Sequence, residues 1–399
     1  MNKVLIWNKN FPLKNCGGPA GYLFNIYTYL QDNPCEQIVF LSDLLNSKKE
    51  NISNNKVCRL SSFKERLKKS KIGKFIQDFR VLKSYYGRRD DIPRGIDFNM
   101  FNVIHFHVIY DAIRYGWLLK GFAGTIVVTS HMPEPPVVEL SYSYNYIGPI
   151  MRFFKDYLIK YELKKIKCLK PIWMFPARDA IEPYIEGSNV YNAYFSDDET
   201  KIQYVPTCIL DNKVTKTLDF FSQYNIPSDA FVICYIGRHN HVKGYDVLKE
   251  IGKELLDIMP NAYIVVAGKE EPLKRLEHER WIELGWISNA PEIIANSSVF
   301  VLPNDQTYFD IVFLEVLRSG TTLLASHTGG NKYFANSLNK DETKGIFFFN
   351  RGDSRSAVNL LVSVAGKTDK LGLENRKLWE KYFTLDNYIR NYLDMINKL

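Results

Sequence analysis

The segment Gly237-Arg238-His239-Asn240-His241-Val242-Lys243-Gly244 follows an apolar run at 231–237 and precedes a helical pattern that starts at Tyr245. A strand ending on glycine lets the backbone approach a ligand closely, and Arg238 and Lys243 then present two cations at one edge of a sheet. Arginine supplies a planar fork and lysine a compact point charge, a pair suited to a diphosphate that gains charge as it departs. An ordinary charged surface loop has the same composition, and this segment alone does not separate the two readings. A second segment, 304–316, runs from an apolar strand at 299–302 into a helix. The backbone N–H groups of Asp310, Ile311 and Val312 at that helix start favour an anion. Glu315 follows the apolar run Ile311-Val312-Phe313-Leu314 inside the helix; an unpartnered buried carboxylate is costly, so ligand binding is the favoured role.

Histidines are the other candidates. His131 ends a strand at 125–129, where a satisfied polar core residue is the usual finding. His105 and His107 share one strand face and have chelating spacing, but with no third ligand in view the structural reading is preferred. No Asp-x-Asp triplet follows an apolar strand, so no metal site is expected.

These groups need rigid elements to position them. Apolar strands recur at 4–7, 37–41, 103–106, 125–129 and 172–175, and again at 231–237, 263–267, 299–302, 322–325 and 346–348. Helical segments between them, such as 245–259, imply parallel pairing. The fold class is therefore α/β, with two doubly wound Rossmann-like domains whose strand ends face a cleft. The expected divisions are an acceptor-side domain at 1–207, a connector at 208–229 and a donor-binding domain at 230–376. A C-terminal helix at 377–399 is expected to pack back toward the first domain. A length of 399 residues suits two domains of ordinary size.

Hydrophobic residues at 46% and charged residues at 24% exclude a disordered chain. Six cysteines without Cys-x-x-Cys spacing exclude a zinc knuckle or disulfide framework. The apolar run at the start is too short for a secretory signal and no later run reaches a membrane span, so a cytoplasmic protein is expected. The net charge of +8 is concentrated. Ten basic residues lie in 63–89 against Glu65 and Asp78, with Ile72, Phe75, Ile76, Phe79 and Leu82 at helical spacing. A second stretch, 152–170, mixes seven basic residues with Phe153, Phe154, Tyr157, Leu158 and Tyr161. Solvated helix faces and attachment to an anionic membrane surface both fit these patterns. Nucleic acid lacks any supporting motif.

The second half resembles the donor-binding domain of the retaining GT-B glycosyltransferases of family 4. Gly237, Arg238, Lys243 and Gly244 match the family's strand-ending Gly-Arg and following Lys-Gly, whose cations hold the donor diphosphate. Leu284-Gly285-Trp286-Ile287-Ser288 and Val301-Leu302-Pro303 resemble the run between the sites. Glu315 matches the second of two family glutamates separated by seven residues, which implies a hydrogen bond to the donor ribose. The first glutamate, a contact of the transferred sugar, falls on Thr307. Thr328-Gly329-Gly330 matches the family's double glycine, with Tyr333 where an acid often stands. In the first half, Gly17-Gly18 resembles the family's glycine loop and His131 its sugar-facing histidine.

The resemblance implies transfer from a nucleoside diphosphate sugar, UDP-linked by expectation, with retention and without metal or cofactor. The acceptor is expected to be a glycan, lipid-linked or protein-linked, in surface polysaccharide or glycoconjugate assembly, with peripheral attachment to the inner face of the plasma membrane. Thr307 and Tyr333 motivate an alternative, a catalytically silent GT-B scaffold or acceptor-binding subunit. An epimerase of GT-B architecture is a further enzyme alternative.

Overall fold

Near-continuous apolar strands need cover on both faces, and parallel sheets flanked by helices provide it. The computed structural model describes every residue except 11–18, 47–70, 93–94, 133, 145 and 218. Among the described residues there are two six-stranded sheets in which every pairing is parallel. The first is ordered β2-β1-β3-β4-β5-β6, with β1 Val4–Trp7, β2 Ile38–Phe40, β3 Val103–Phe106, β4 Thr125–Val128, β5 Ile172–Phe175 and β6 Ile202–Tyr204. The second is ordered β12-β11-β10-β7-β8-β9, with β7 Phe231–Ile236, β8 Ala262–Ala267, β9 Trp281–Glu283, β10 Val299–Leu302, β11 Thr322–Ser326 and β12 Ile346–Phe349.

The ten strands expected from the sequence are present within one or two residues at their ends. β6 and β9 are additional. Each has three residues and lies at a sheet edge, too short and too mixed in polarity to show a strand period.

The chain divides into two compact units, Met1–Phe175 with Tyr184–Val205 and Asn391–Leu399, and Pro176–Pro183 with Pro206–Arg390. Residues 208–229 therefore group with the second unit. The stretch 377–399 is not one helix: Thr368–Tyr382 ends at Phe383, and Leu385–Asn397 follows. Only the last nine residues count with the first unit, where Asn2 N–H donates to Asn397 Oδ1 at 2.9 Å.

The second unit's core shows how the sheet is held. The helix Tyr245–Ile258 buries Leu248, Ile251 and Leu255 against Ile233, Ile264 and Val266. Each such side chain contributes about 1.5–3 kcal/mol of burial energy. Strand order reverses beside β1 in the first sheet and beside β7 in the second. Crevices at the carboxyl ends of strands beside such switch points are where doubly wound sheets bind ligands. Among the described residues, no helix is long and apolar enough to cross a membrane.

Candidate functional site

In the second unit, the loops after β7, β10 and β11 meet backbone to backbone. Gly244 has φ +66°, and a Cβ there would lie 1.7 Å from the Pro303 carbonyl oxygen. Only glycine fits this left-handed turn and close approach. The amides of Asp305 and Gln306 then donate to the Val242 carbonyl at 3.1 and 3.3 Å. On the other side, a Cβ on Gly329 would lie 2.0 Å from the Thr307 carbonyl oxygen, and Gly330 N–H donates to that oxygen at 3.1 Å. The Lys243-Gly244 and Gly329-Gly330 pairs found in the sequence thus lock the 303–310 loop from both sides.

This packing brings Lys243 to Asp310. The ammonium donates to both carboxylate oxygens at 2.7 and 2.8 Å, and Asn304 Nδ2 donates to Oδ2 at 2.6 Å. Arg238 is exposed and makes no ion pair among the described residues. Asp310 precedes the helix Ile311–Ser319 without capping it through its side chain. Ile311 and Val312 are half-buried at the start of that helix, where the first N–H groups lack intrahelical partners. Glu315 is partly buried and has no hydrogen-bond partner among the described residues; burial pushes its carboxyl up, and nearby Arg318 opposes the shift. Thr307 has no exposed surface, and its hydroxyl has no partner among the described residues. Tyr333 is half-buried with its ring 5.9 Å from that of Phe309.

Several residues with no sequence signal complete the arrangement. Glu182, from the stretch Pro176–Pro183, accepts from Gly329 N–H at 3.0 Å and pairs with Lys332. It anchors the double-glycine turn from 147 residues away. His239 is fully enclosed, and its ring stacks on Tyr245 with centroids 3.9 Å apart and planes 3° from parallel. Glu283 accepts from Tyr245 Oη at 2.6 Å and Trp281 Nε1 at 2.8 Å, with His239 Nε2 3.8 Å away. Burial pushes His239 below its ordinary value against the pull of Glu283. This packed layer lies directly beneath the Arg238 backbone, whose carbonyl accepts from Tyr235 Oη at 2.9 Å. Asn304, two positions after β10, opens the segment 304–316, but nothing in the sequence ties it to Asp310.

In the first unit the three histidines form a chain. His105 Nδ1 lies 2.8 Å from Tyr392 Oη and its Nε2 2.8 Å from Thr129 Oγ1. His107 Nδ1 lies 3.1 Å from His131 Nε2, so one of these two nitrogens carries the shared proton. Tyr22 places its ring 4.7 Å from that of His131. Burial pushes all three imidazoles down, His131 to about 3. They are neutral at pH 7. No group of three or more metal-ligating side chains is present among the described residues. Gly17 and Gly18, expected beside the donor, lie outside the described residues.

Residues 230–365, the portion that holds the Lys243 site, match the family model described as glycosyl transferases group 1. The match lies wholly within the second unit. An Escherichia coli protein named UDP-Gal:alpha-D-GlcNAc-diphosphoundecaprenol alpha-1,3-galactosyltransferase is 29% identical over 147 residues, 34% of this chain and 37% of its own. An uncharacterized 41.2 kDa protein in the cps region of Klebsiella pneumoniae is 21% identical over 246 residues, 59% of this chain and 63% of its own. The matched stretches thus span less than two thirds of either relative. Among solved structures, Anabaena HepE in complex with UDP-glucose aligns over 100% of both chains with a TM-score of 0.62 and 12% identity. At that identity the likeness is one of fold, and the fold is GT-B, two Rossmann-like domains with parallel six-stranded sheets.

Proposed function

We propose that this protein is a metal-independent, retaining glycosyltransferase that moves a sugar from a nucleoside diphosphate donor, a UDP sugar, to a glycan acceptor. The observation that carries the reading is the convergence of Arg238, Lys243 and the start of the helix Ile311–Ser319 at the β7/β10 switch point, within a group 1 domain. Support for the donor comes from the HepE structure with UDP-glucose and from the galactosyltransferase named for UDP-Gal. The latter's acceptor, a diphosphoundecaprenol-linked GlcNAc, favours a lipid-linked glycan here and a place in surface polysaccharide assembly.

In this reading the bond from the anomeric carbon to the diphosphate breaks while the acceptor oxygen bonds on the same face. The acceptor proton passes to the departing diphosphate. Arg238 and Lys243 stabilise the charge that accumulates there, Glu315 accepts from the ribose, and His131 faces the sugar as a neutral hydrogen-bonding group. Thr307 contributes a hydroxyl with unspent hydrogen-bonding capacity beside the double-glycine turn. The test is incubation with a panel of nucleotide sugars, with the anomer of the product or hydrolysed sugar read by NMR. Release of the free sugar or transfer product with retention, unchanged by chelator, is expected. Absence of turnover with every donor favours the silent scaffold, an inverted product removes the retaining assignment, and an epimerised donor sugar favours the epimerase.

The protein is further proposed to act at an anionic membrane surface. Tyr86 Oη donates to Glu162 at 2.7 Å and its ring lies 5.6 Å from that of Tyr161, so the basic helices Lys71–Tyr86 and Lys155–Lys167 adjoin. Phe79 and Tyr157 are exposed on them at 54% and 70%, and Phe153, which ends the preceding helix Gly148–Phe153, is exposed at 82%. Residues 63–70 of the first basic segment lie outside the described residues. Co-sedimentation with vesicles containing anionic lipid, lost when Lys160, Lys164 and Lys165 are changed to Glu, is expected; equal pelleting of wild type and variant would remove the proposal.

A further inference from the structure

Lys243 is assigned above to the donor diphosphate, yet its ammonium already holds a carboxylate. Asp310 meets it with both oxygens, at 2.7 and 2.8 Å, and Asn304 fixes one of those oxygens at 2.6 Å. The contact is enclosed: the Lys243 and Asp310 side chains are 19% and 15% exposed, and Asn304 has no exposed surface. Ion pairs in such surroundings escape most of the screening that weakens surface pairs.

Asp310 also forgoes a common alternative. An aspartate that precedes a helix ordinarily accepts from the N–H groups of the first turn. Here the side chain makes no such bond to the helix Ile311–Ser319. Its carboxylate is instead drawn onto Lys243 and Asn304, beside a helix start that attracts anions. Two carboxylate oxygens bridging a lysine occupy the geometry that two phosphate oxygens of a ligand would take.

We infer that Asp310 is an internal counter-anion that the donor diphosphate must displace from Lys243, and that it thereby sets the affinity and selectivity of the site. This rests on the donor reading above. A nucleoside without phosphate leaves the pair intact and meets no competition. A nucleoside diphosphate exchanges one anion for another, so its affinity is lower than Lys243 could provide, and weak or singly charged anions are excluded.

The experiment is titration of the intact chain with UDP and with uridine, using wild type, Asp310→Asn, Asp310→Ala and Lys243→Ala with and without Asp310→Asn. Removing the competing charge is expected to tighten UDP binding about tenfold, the scale of one charge-assisted hydrogen-bonded contact. Uridine binding stays unchanged, which also reports that the variants are folded. In the Lys243→Ala background the gain from Asp310→Asn shrinks, because the two residues act on one contact. Unchanged or weaker UDP binding in both Asp310 variants, with uridine binding kept, overturns the inference and makes Asp310 a support for Lys243. If wild type binds no nucleoside diphosphate from a panel of bases, the donor reading fails and takes this inference with it.

Discussion

In the second unit Arg238 and Lys243 lie at a sheet edge, one exposed and one matched by Asp310. In the first unit His105 lies within β3 while His107 and His131 follow β3 and β4, but burial holds them neutral and they spend their nitrogens largely on Tyr392, Thr129 and each other. The difference is one of solvation. A lysine or arginine cannot discard its charge cheaply, so it stays near water or beside an acid, ready for an anion. An imidazole can lose its proton, so it can enter the core and offer a hydrogen bond without a charge. One cluster is suited to a charged leaving group and the other to hydroxyl groups.

The contrast breaks first, and most visibly, in turnover. Arg238→Ala or Lys243→Ala is expected to lower kcat by roughly 10²–10³, the effect of removing one preorganised electrostatic donor. The double variant loses less than the product of the singles, since both act on one charge. Full activity in either single variant would separate these residues from the chemistry.

Stability gives the next largest effect. Gly244→Ala places a Cβ in a left-handed turn against the Pro303 carbonyl and is expected to cost about 2 kcal/mol or more in denaturant unfolding of the second unit. A loss of UDP binding accompanies it, because the 303–310 loop shifts with the clash. Wild-type stability in this variant would mean that the two loops do not need the contact.

Acid sharpens the comparison from the other side. The three histidines have folded pKa values below 6.5, so the unfolded chain takes up protons first as pH falls. Their contribution is fully present above pH 6.5 and is lost as pH falls through their lowered folded values, about 3 for His131. Glu162 opposes this between pH 7 and 4.5, because burial pushes its carboxyl up to about 7 and the folded state then binds the extra proton. Unfolding of the first unit is expected to become easier below pH 6.5, and Glu162→Gln to steepen that loss. Histidine signals that titrate near 6.5 in NMR would show the imidazoles to be solvated after all.

The smallest effect belongs to Thr307→Ala. Deleting a buried hydroxyl without a partner removes no hydrogen bond, so stability is expected to change by about 0.5 kcal/mol or less. Donor-sugar ranking shifts if the hydroxyl reaches the sugar; an unchanged ranking places Thr307 outside the sugar site.

Much of this molecule is written locally. Runs such as Phe231–Ile236 and Val299–Leu302 are apolar at every position, which only a strand covered on both faces explains, and their spacing by helices dictates parallel pairing. Gly237 marked a close backbone approach, Gly244 and the Gly329-Gly330 pair stood out through the family resemblance, and Arg238, Lys243 and Glu315 marked candidate ligands as unusual residue types within a few positions of an apolar run. The edge strands β6 and β9 left none, being three residues long. What the chain does across long separations was decided only by folding. Lys243 meets Asp310 67 residues on, Glu182 reaches Gly329 across 147, and His105 reaches Tyr392 across 287. Thr307, placed on the sugar by motif spacing, has no exposed surface because the double-glycine turn closes over its backbone. Residue type and period specify which elements form and which faces are apolar. Which charge neutralises which, and which hydroxyl is enclosed, depends on distances that exist only once separate strands have been brought to one edge of a sheet.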